Sequence, residues 1–387
     1  MKMKSITYIL TLSMTLFLAG CRHDELVVPT EYDIINDVPD PDTSIRGFYL
    51  VNEGNMGSNK CTLDYFDYFT GLYARNFYAE RNPNVIKELG DVGNDIGIYG
   101  SKLYVVVNCS HKVEVLDARS GVRIGKVDIP NCRFIRFCEG YAYVTSYAGP
   151  VVIDPEYRQK GFVAKVDTAT MQVVDRCIVG FQPDGLDIAD GKIYVANSGG
   201  YMVPNYENTV TVIDLSAFKV LETIQVAINL EYCIADRHGN LWISSRGDYY
   251  DVPPRLYCYD TRKRRMEKVL DVNVGNYWLD GDSLYVIAVD NRETGAELPN
   301  SYQIVNIGTR EVVNDCFITD GTDARIHKPY GIAVNPVTKE IFVTDARNYV
   351  NPGYLYCFNT DGTLKWSVRT GDIPAHIVFT GQTKTDY

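Results

Sequence analysis

The sequence predicts an all-β fold, a seven-bladed β-propeller with four antiparallel strands per blade. Three observations carry that prediction. The first is residues 183–226, which read as four short strands in a row. Residues 183–189 turn at Asp190-Gly191 into residues 192–197. After a polar loop come residues 210–214 and 220–226. Each run is rich in β-branched or aromatic residues and is bounded by turn formers. The four strands of such a unit are labelled A, B, C and D.

The second observation is a recurring corner. An apolar residue followed by Asp or Asn ends strand C at Phe66-Asp67, Leu116-Asp117, Val166-Asp167, Ile213-Asp214, Tyr259-Asp260, Val305-Asn306 and Phe358-Asn359. The seven copies lie 50, 50, 47, 46, 46 and 53 residues apart. A short polar side chain at that corner can accept bonds from backbone NH groups of the turn. A period of roughly 40–50 residues with four strands per repeat marks a propeller.

The third observation is how the ends fit. The repeats begin at residues 46–51, which match strand B, and strands C and D follow in residues 63–67 and 74–78. The missing strand A lies at the far end, in residues 373–379. The last segment is therefore expected to complete the first blade and pair the two edges left at the seam. Residues 46–387 form one domain on this reading.

Ahead of it, residues 1–20 have Lys2 and Lys4 and then an apolar run, residues 6–18, too short to span a bilayer comfortably. They end in Leu18-Ala19-Gly20-Cys21, which resembles the bacterial lipobox. The resemblance implies lipidation of Cys21 and a mature chain beginning there; a plain secretory signal with a chance cysteine is the alternative. Asp24 and Glu25 loosely resemble the surface-export signal of Bacteroidetes lipoproteins. Residues 21–45, with Pro39-Asp40-Pro41-Asp42 among them, have too little apolar content to fold and read as a disordered tether.

The net charge of −11 argues against nucleic acid or a broad anionic membrane surface as partner. Of ten cysteines, Cys21 bears the lipid and nine remain. Cys258 and Cys357 lie two blades apart and Cys177 and Cys316 three, too far to bridge. Most read as small buried hydrophobes. Cys109 and Cys132 are the one candidate disulfide.

Ligands of propellers usually sit on the face built from D–A and B–C loops, at the channel mouth. Aligning the A strands assigns Asp95, Phe134, Gly185, Glu231, Asn276, Gly331 and His376 to the channel-facing position. Asn94, Arg133, Asp184, Leu230, Gly275, Tyr330 and Ala375 fall one residue earlier. The B–C loops add Tyr147, Asn197, Tyr201, Arg246, Tyr249, Tyr250, Arg347 and Tyr349, together with Asn52-Glu53-Gly54-Asn55 and Asp290-Asn291-Arg292. Tyrosine offers a flat face with a hydroxyl and Asn both donates and accepts, so the predicted ligand-binding set is Asn94, Asp95, Arg133, Tyr147, Asp184, Asn197, Tyr201, Glu231, Arg246, Tyr249, Tyr250, Asn276, Tyr330, Arg347, Tyr349 and His376. For any one of these, turn formation is the plain alternative.

The sequence has no His-Glu-x-x-His, no Gly-x-Ser-x-Gly, no phosphate loop and no Cys-x-x-Cys, and its five histidines are scattered. A binding protein without catalytic residues, metal or cofactor is expected. The competing arrangement is a channel metal held by Asp95, Glu231, Asn276 and His376, as in lactonase-type propellers.

The run Pro-Asp-Gly-Leu-Asp-Ile-Ala-Asp-Gly-Lys-Ile-Tyr-Val-Ala-Asn from residue 183, followed by Val-Thr-Val-Ile-Asp from residue 210, resembles the YncE-type seven-bladed propellers. With the lipobox, the acidic start and the Tyr/Asn-rich loops, the chain also resembles the BtuG-type surface lipoproteins of gut Bacteroidetes. That resemblance implies binding of vitamin B12 or another corrinoid, an outer-membrane transporter as partner, and membrane attachment through the lipid alone. A glycan-binding surface lipoprotein is the second expectation, and a metal-dependent hydrolase the third.

Overall fold

The computed structural model describes residues 29–36, 44–85, 89–288 and 300–381. Seven sheets are present, and consecutive strands pair antiparallel within each. In blade 4 the strands are A, Pro183–Ala189; B, Lys192–Asn197; C, Thr209–Asp214; and D, Lys219–Gln225. Blades 2, 3, 5, 6 and 7 repeat the order, beginning at Gly93, Cys132, Leu230, Asn276 and Pro329. Blade 1 takes its B, C and D strands from Gly47–Asn52, Thr62–Asp67 and Leu72–Arg75, and its A strand from Pro374–Thr380. The last strand pairs with Gly47–Asn52 from Gly47↔Thr380 to Asn52↔Pro374. The ring is closed as the sequence predicts.

The corner motif does what its chemistry suggests. The Oδ1 of Asp67, Asp117, Asp167, Asp214, Asp260 and Asn306 accepts backbone NH groups of its C–D turn at 2.7–3.2 Å. The seventh, Asn359, instead donates its amide to Thr363 Oγ1 at 3.0 Å. Seven apolar clusters fill the seven blade-to-blade seams. Burial on both faces of the inner strands is why the B strands read as nearly continuous apolar runs, whereas the outer D strands are largely exposed. Cys61, Cys132, Cys138, Cys177, Cys233, Cys258 and Cys357 pack in these seams as small hydrophobes.

Several boundaries differ from expectation. Strand D of blade 1 stops at Arg75, because Asn76 turns left-handed (φ 54°) and Phe77–Arg81 form a helix, α1. The expected disordered tether over 21–45 is part of the fold at Glu31–Ile34, a fifth strand outside strand D of blade 1. Its register runs from Glu31↔Arg75 to Ile34↔Leu72. Polar composition misled here, because an edge strand needs backbone pairing more than apolar side chains. Arg75 pairs with Glu31 and Asp33, Thr30 Oγ1 donates to the Asn76 carbonyl at 3.0 Å, and Ile35 is buried in the seam between blades 1 and 7. The signal segment and Cys21 lie outside the described residues.

The candidate disulfide does not form. Cys109 and Cys132 are both free. The Cys132 thiol is buried and points to the Lys112 carbonyl at 3.2 Å, whereas Cys109 Sγ faces Asn108 Oδ1 at 3.3 Å.

Candidate functional site

A repeated backbone device places the site. In blades 3, 4, 5 and 7 the A–B register shifts after the first residue of strand A, skipping two residues each time. The skipped pairs are Arg133-Phe134, Asp184-Gly185, Glu231-Tyr232 and Tyr330-Gly331. A bulge leaves a backbone NH without its ladder partner. Thr145, Ser244 and Thr344, each the next-to-last residue of strand B, accept that NH from Phe134, Tyr232 and Gly331 at 3.0, 3.0 and 2.7 Å. The same hydroxyls of Thr145 and Thr344 donate onward to strand A of the next blade, at Asp184 and Pro374. Small hydroxyl residues at that position are thus the sequence signal for the bulge in blades 3, 5 and 7, while blade 4 has Ala196 there.

This register corrects the sequence alignment in blade 5. Glu231, not Leu230, is equivalent to Arg133, Asp184 and Tyr330. Gly185 does not face an open channel either: a Cβ there would lie 2.7 Å from the Glu231 carbonyl, so strands A of blades 4 and 5 touch.

A second row comes from the residue just after strand B: Glu53, Tyr147 and Arg246. Each is followed by a left-handed residue, Gly54 (φ 72°), Ala148 (φ 63°) or Gly247 (φ 66°). Ser146 and Ser245 accept the NH groups of Ala148 and Gly247 at 3.0 Å and so fix the turn.

The two rows meet in one network. Asp184, fully buried, takes Arg133 Nε at 2.7 Å and the Tyr147 hydroxyl at 2.9 Å on Oδ1, and Arg246 at 3.0 Å on Oδ2. Arg246 also reaches Glu231 at 2.9 Å, and Arg133 donates to Asn94. The Arg133 guanidinium lies 4.9 Å from the Tyr147 ring centre, and Tyr201 packs edge-on to Tyr147. On the other side of the ring, Tyr330 donates to Glu53 at 2.9 Å and His376 approaches the same carboxylate at 3.5 Å.

Electrostatics follow from this placement. Burial would raise the Asp184 carboxyl, but Arg133 and Arg246 outweigh it and hold the pKa below the ordinary 3.8. Glu231 goes the other way: burial raises it, and Arg246 offsets only part of that. Burial and the neighbouring Glu53 push the Tyr330 hydroxyl well up, so it is a donor. The mouth's donors and acceptors hold one another in fixed positions.

Under this network the channel is filled. Phe134 of blade 3 meets Tyr232 of blade 5 at 5.4 Å and His376 of blade 1 at 6.3 Å, neither in an adjacent blade. The rings therefore cross the axis and form a floor.

Around the mouth, blades 5 and 7 carry matching loops. Asp248 Oδ1 accepts the NH of Tyr250 and Val252, and Asn348 Oδ1 accepts those of Val350 and Asn351. Both turns hold a left-handed tyrosine, Tyr249 (φ 69°) and Tyr349 (φ 62°). Tyr250 is 54% exposed, and Tyr349 packs edge-on to Tyr330 at 6.0 Å.

Of the predicted set, Asn94, Arg133, Tyr147, Asp184, Tyr201, Glu231, Arg246, Tyr330 and His376 lie in or against the network, and Tyr249, Tyr250 and Tyr349 on its rim. Four do not belong with them. Asn197 is buried, bonding Thr209 and Thr211 and accepting the Gly180 NH, a strut between strands. Asp95 holds Arg136 and the Ile135 NH. Asn276 donates to the Tyr330 carbonyl. Arg347 points outward over the Tyr354 ring. Glu53, Phe134 and Tyr232 belong to the site but fall outside the predicted set, although the sequence puts Phe134 at the channel-facing position and Glu53 in a B–C loop. The 290–292 loop lies outside the described residues. The alternative metal set does not converge, since Asp95, Glu231, Asn276 and His376 each face a different partner. Among the described residues no group of three or more His, Cys, Asp or Glu side chains is placed to hold a metal.

A cleft of about 370 Å³ opens elsewhere, at the seam of blades 1 and 2 on the opposite face. Its Arg46 already pairs with Asp67, and its Asp117 is taken up by its own turn.

Fold and site together define a closed seven-bladed propeller with a floored, charged mouth. The chain belongs to the family described as a domain of unknown function (DUF5074), whose pattern matches residues 46–380. No curated protein matches the chain. Among solved structures it is similar to a quinonprotein alcohol dehydrogenase-like protein from Bacteroides thetaiotaomicron, at 15% identity, covering 87% of this chain and 78% of that one, TM-score 0.56. It is also similar to the Kuenenia stuttgartiensis hydrazine synthase, at 17% identity over 70% and 77%, TM-score 0.54. A computationally designed protein, Ika8, matches at 11% identity over 85% and 92%, TM-score 0.54. At these identities the likeness is one of fold.

Proposed function

We propose that this chain is a lipid-anchored surface lipoprotein that binds cobalamin or a related corrinoid across its loop face and delivers it to an outer-membrane transporter. The observation that carries the proposal is a pre-set ring of Arg133, Arg246, Glu53 and Glu231, closed below by aromatic rings and rimmed by Tyr249, Tyr250 and Tyr349. Cobalamin is a broad rigid disc with an apolar plane and a border of amides. Guanidinium and carboxylate groups suit the amides, and tyrosine rings suit the plane. A rigid ligand meeting a rigid face loses little entropy on binding. The BtuG-type resemblance, the lipobox and the acidic residues after Cys21 support the surface location. Tyrosine faces also stack on sugars, which makes a glycan the second reading.

Binding then rests on side chains spread over several blades. Replacing Tyr249, Tyr250 or Tyr349 with Ala is expected to weaken it by about 1–3 kcal/mol each, measured by titration calorimetry. EDTA should leave it unchanged. Binding abolished by EDTA and restored by calcium or zinc would favour a metal-dependent site.

Anchoring has its own check. Cys21→Ala is expected to abolish labelling by radiolabelled palmitate and to release the protein from the membrane pellet. Unchanged labelling would contradict the lipobox reading.

A further inference from the structure

The N-terminal edge strand decides where the chain leaves the propeller. Strand A runs away from the loop face, so B returns to it, C leaves it, and D returns to it. Arg75, the last residue of strand D in blade 1, therefore lies at the loop-face end. Glu31–Ile34 runs antiparallel to strand D, with Glu31 opposite Arg75 and Ile34 opposite Leu72. Traced from Ile34 back to Glu31, toward the N-terminus, the chain climbs the outside of blade 1 and exits at the loop face.

Without that strand the exit would be on the other side. Ile45 and Arg46 enter strand B at its far end, where the Arg46 NH donates to the Thr380 carbonyl. A tether free up to residue 45 would emerge opposite the loops, and its twenty-four residues from Cys21 would reach about 86 Å when extended. With the strand docked, Pro29 lies only eight positions along the chain from Cys21, an extended reach of about 29 Å.

The docking is specific in its side chains as well as its ladder. Arg75 is held between Glu31 and Asp33, the Tyr32 hydroxyl donates to Glu80 Oε2 at 2.5 Å, and the Ile35 NH reaches the Gly71 carbonyl at 2.8 Å. Ile35 itself is buried beside Phe48, Phe66 and Trp366. The loop face reached in this way also carries exposed apolar tips: Met56, Ile153, Tyr250 and Val350 stand 54–69% exposed.

We infer that the Glu31–Ile34 strand is an orienting strap that turns the loop face, with its arginine–carboxylate mouth, toward the membrane holding the anchor. The inference rests on the lipidation of Cys21. It gives the proposed site a membrane-side orientation, so that a ligand on it lies between the propeller and the bilayer.

The test is energy transfer from the full lipoprotein, reconstituted in phosphatidylcholine vesicles carrying an acceptor-labelled lipid. A fluorescent amino acid is placed at Val350 or at Val337, exposed positions on opposite faces of blade 7. Transfer is expected to be greater from 350 than from 337. Replacing residues 29–36 by a Gly/Ser segment of equal length frees the strap and should reverse that order, because the chain then leaves by Ile45. If that variant fails to fold, the pair Thr30→Ala and Arg75→Ala, which removes the side-chain ties alone, should narrow the difference. Equal transfer from the two positions, or greater transfer from 337 in the unaltered protein, overturns the strap. Failure of the unaltered protein to pellet with the vesicles overturns the anchor reading and this inference with it.

Discussion

Deletion of residues 372–387 is expected to abolish the cooperative unfolding of the whole ring, not merely to loosen one blade. The segment supplies strand A of blade 1, and its Ile377 and Phe379 sit in the seam with Phe48, Phe342 and Trp366. Loss of a buried Ile or Phe side chain costs about 2–5 kcal/mol each. Two of them, with the Gly47–Asn52 ladder left unpaired, match the roughly 5–15 kcal/mol that holds a typical domain folded. Urea unfolding followed by tryptophan fluorescence reads the outcome, since Trp366 reports on that seam. A truncated chain with the same midpoint as the intact one would contradict closure.

Asp184→Ala is expected to be the most damaging single change at the mouth. It strips both Arg133 and Arg246 of a shared, fully buried partner and leaves the Tyr147 hydroxyl without its acceptor. Removing one side of a buried ion pair costs about 3–5 kcal/mol, and the partial exposure of the two arginines puts the cost near the lower end. Ligand binding should fall with it, because both guanidinium groups lose their fixed positions. The pH dependence has a defined sign. The Asp184 carboxyl is held below its unfolded value, so its contribution is complete above the ordinary 3.8 and is lost as pH falls through the lower folded value. The stability gap between the native protein and Asp184→Ala should therefore be constant near neutral pH and close in acid. Glu231, raised by burial, runs the opposite way: its contribution is present below its ordinary 4.5 and is lost as pH rises through the raised value. A gap that widens in acid would show that Asp184 is not held by the two arginines.

The ring was legible because its signals are local and repeated. Each Asp or Asn at the end of strand C caps its own turn, so seven spaced copies count the blades. Closure was legible for a similar reason, since a repeat that starts on strand B must find its strand A elsewhere. The mouth was harder to read. The sequence puts Arg133, Asp184 and Tyr330 in one row but Glu231 one residue off, because the A–B turn of blade 5 is longer than the Asp190-Gly191 turn of blade 4, and the bulge in strand A leaves no gap to mark its place. The hydroxyls of Thr145, Ser244 and Thr344 are the clue to that bulge. They look like ordinary strand residues until their bonds are seen. Asn197 illustrates the converse, a polar residue after an apolar run that serves packing. The edge strand Glu31–Ile34 was invisible to composition because its stability comes from pairing and from Arg75, forty-odd residues away.

The most direct measurement is titration calorimetry of the chain with cyanocobalamin at neutral pH. A saturable one-to-one isotherm, weakened by Tyr249→Ala and abolished or strongly weakened by Asp184→Ala, is the expected result. No heat of binding with cyanocobalamin, alongside a saturable isotherm for a glycan at the same face, would contradict the corrinoid assignment.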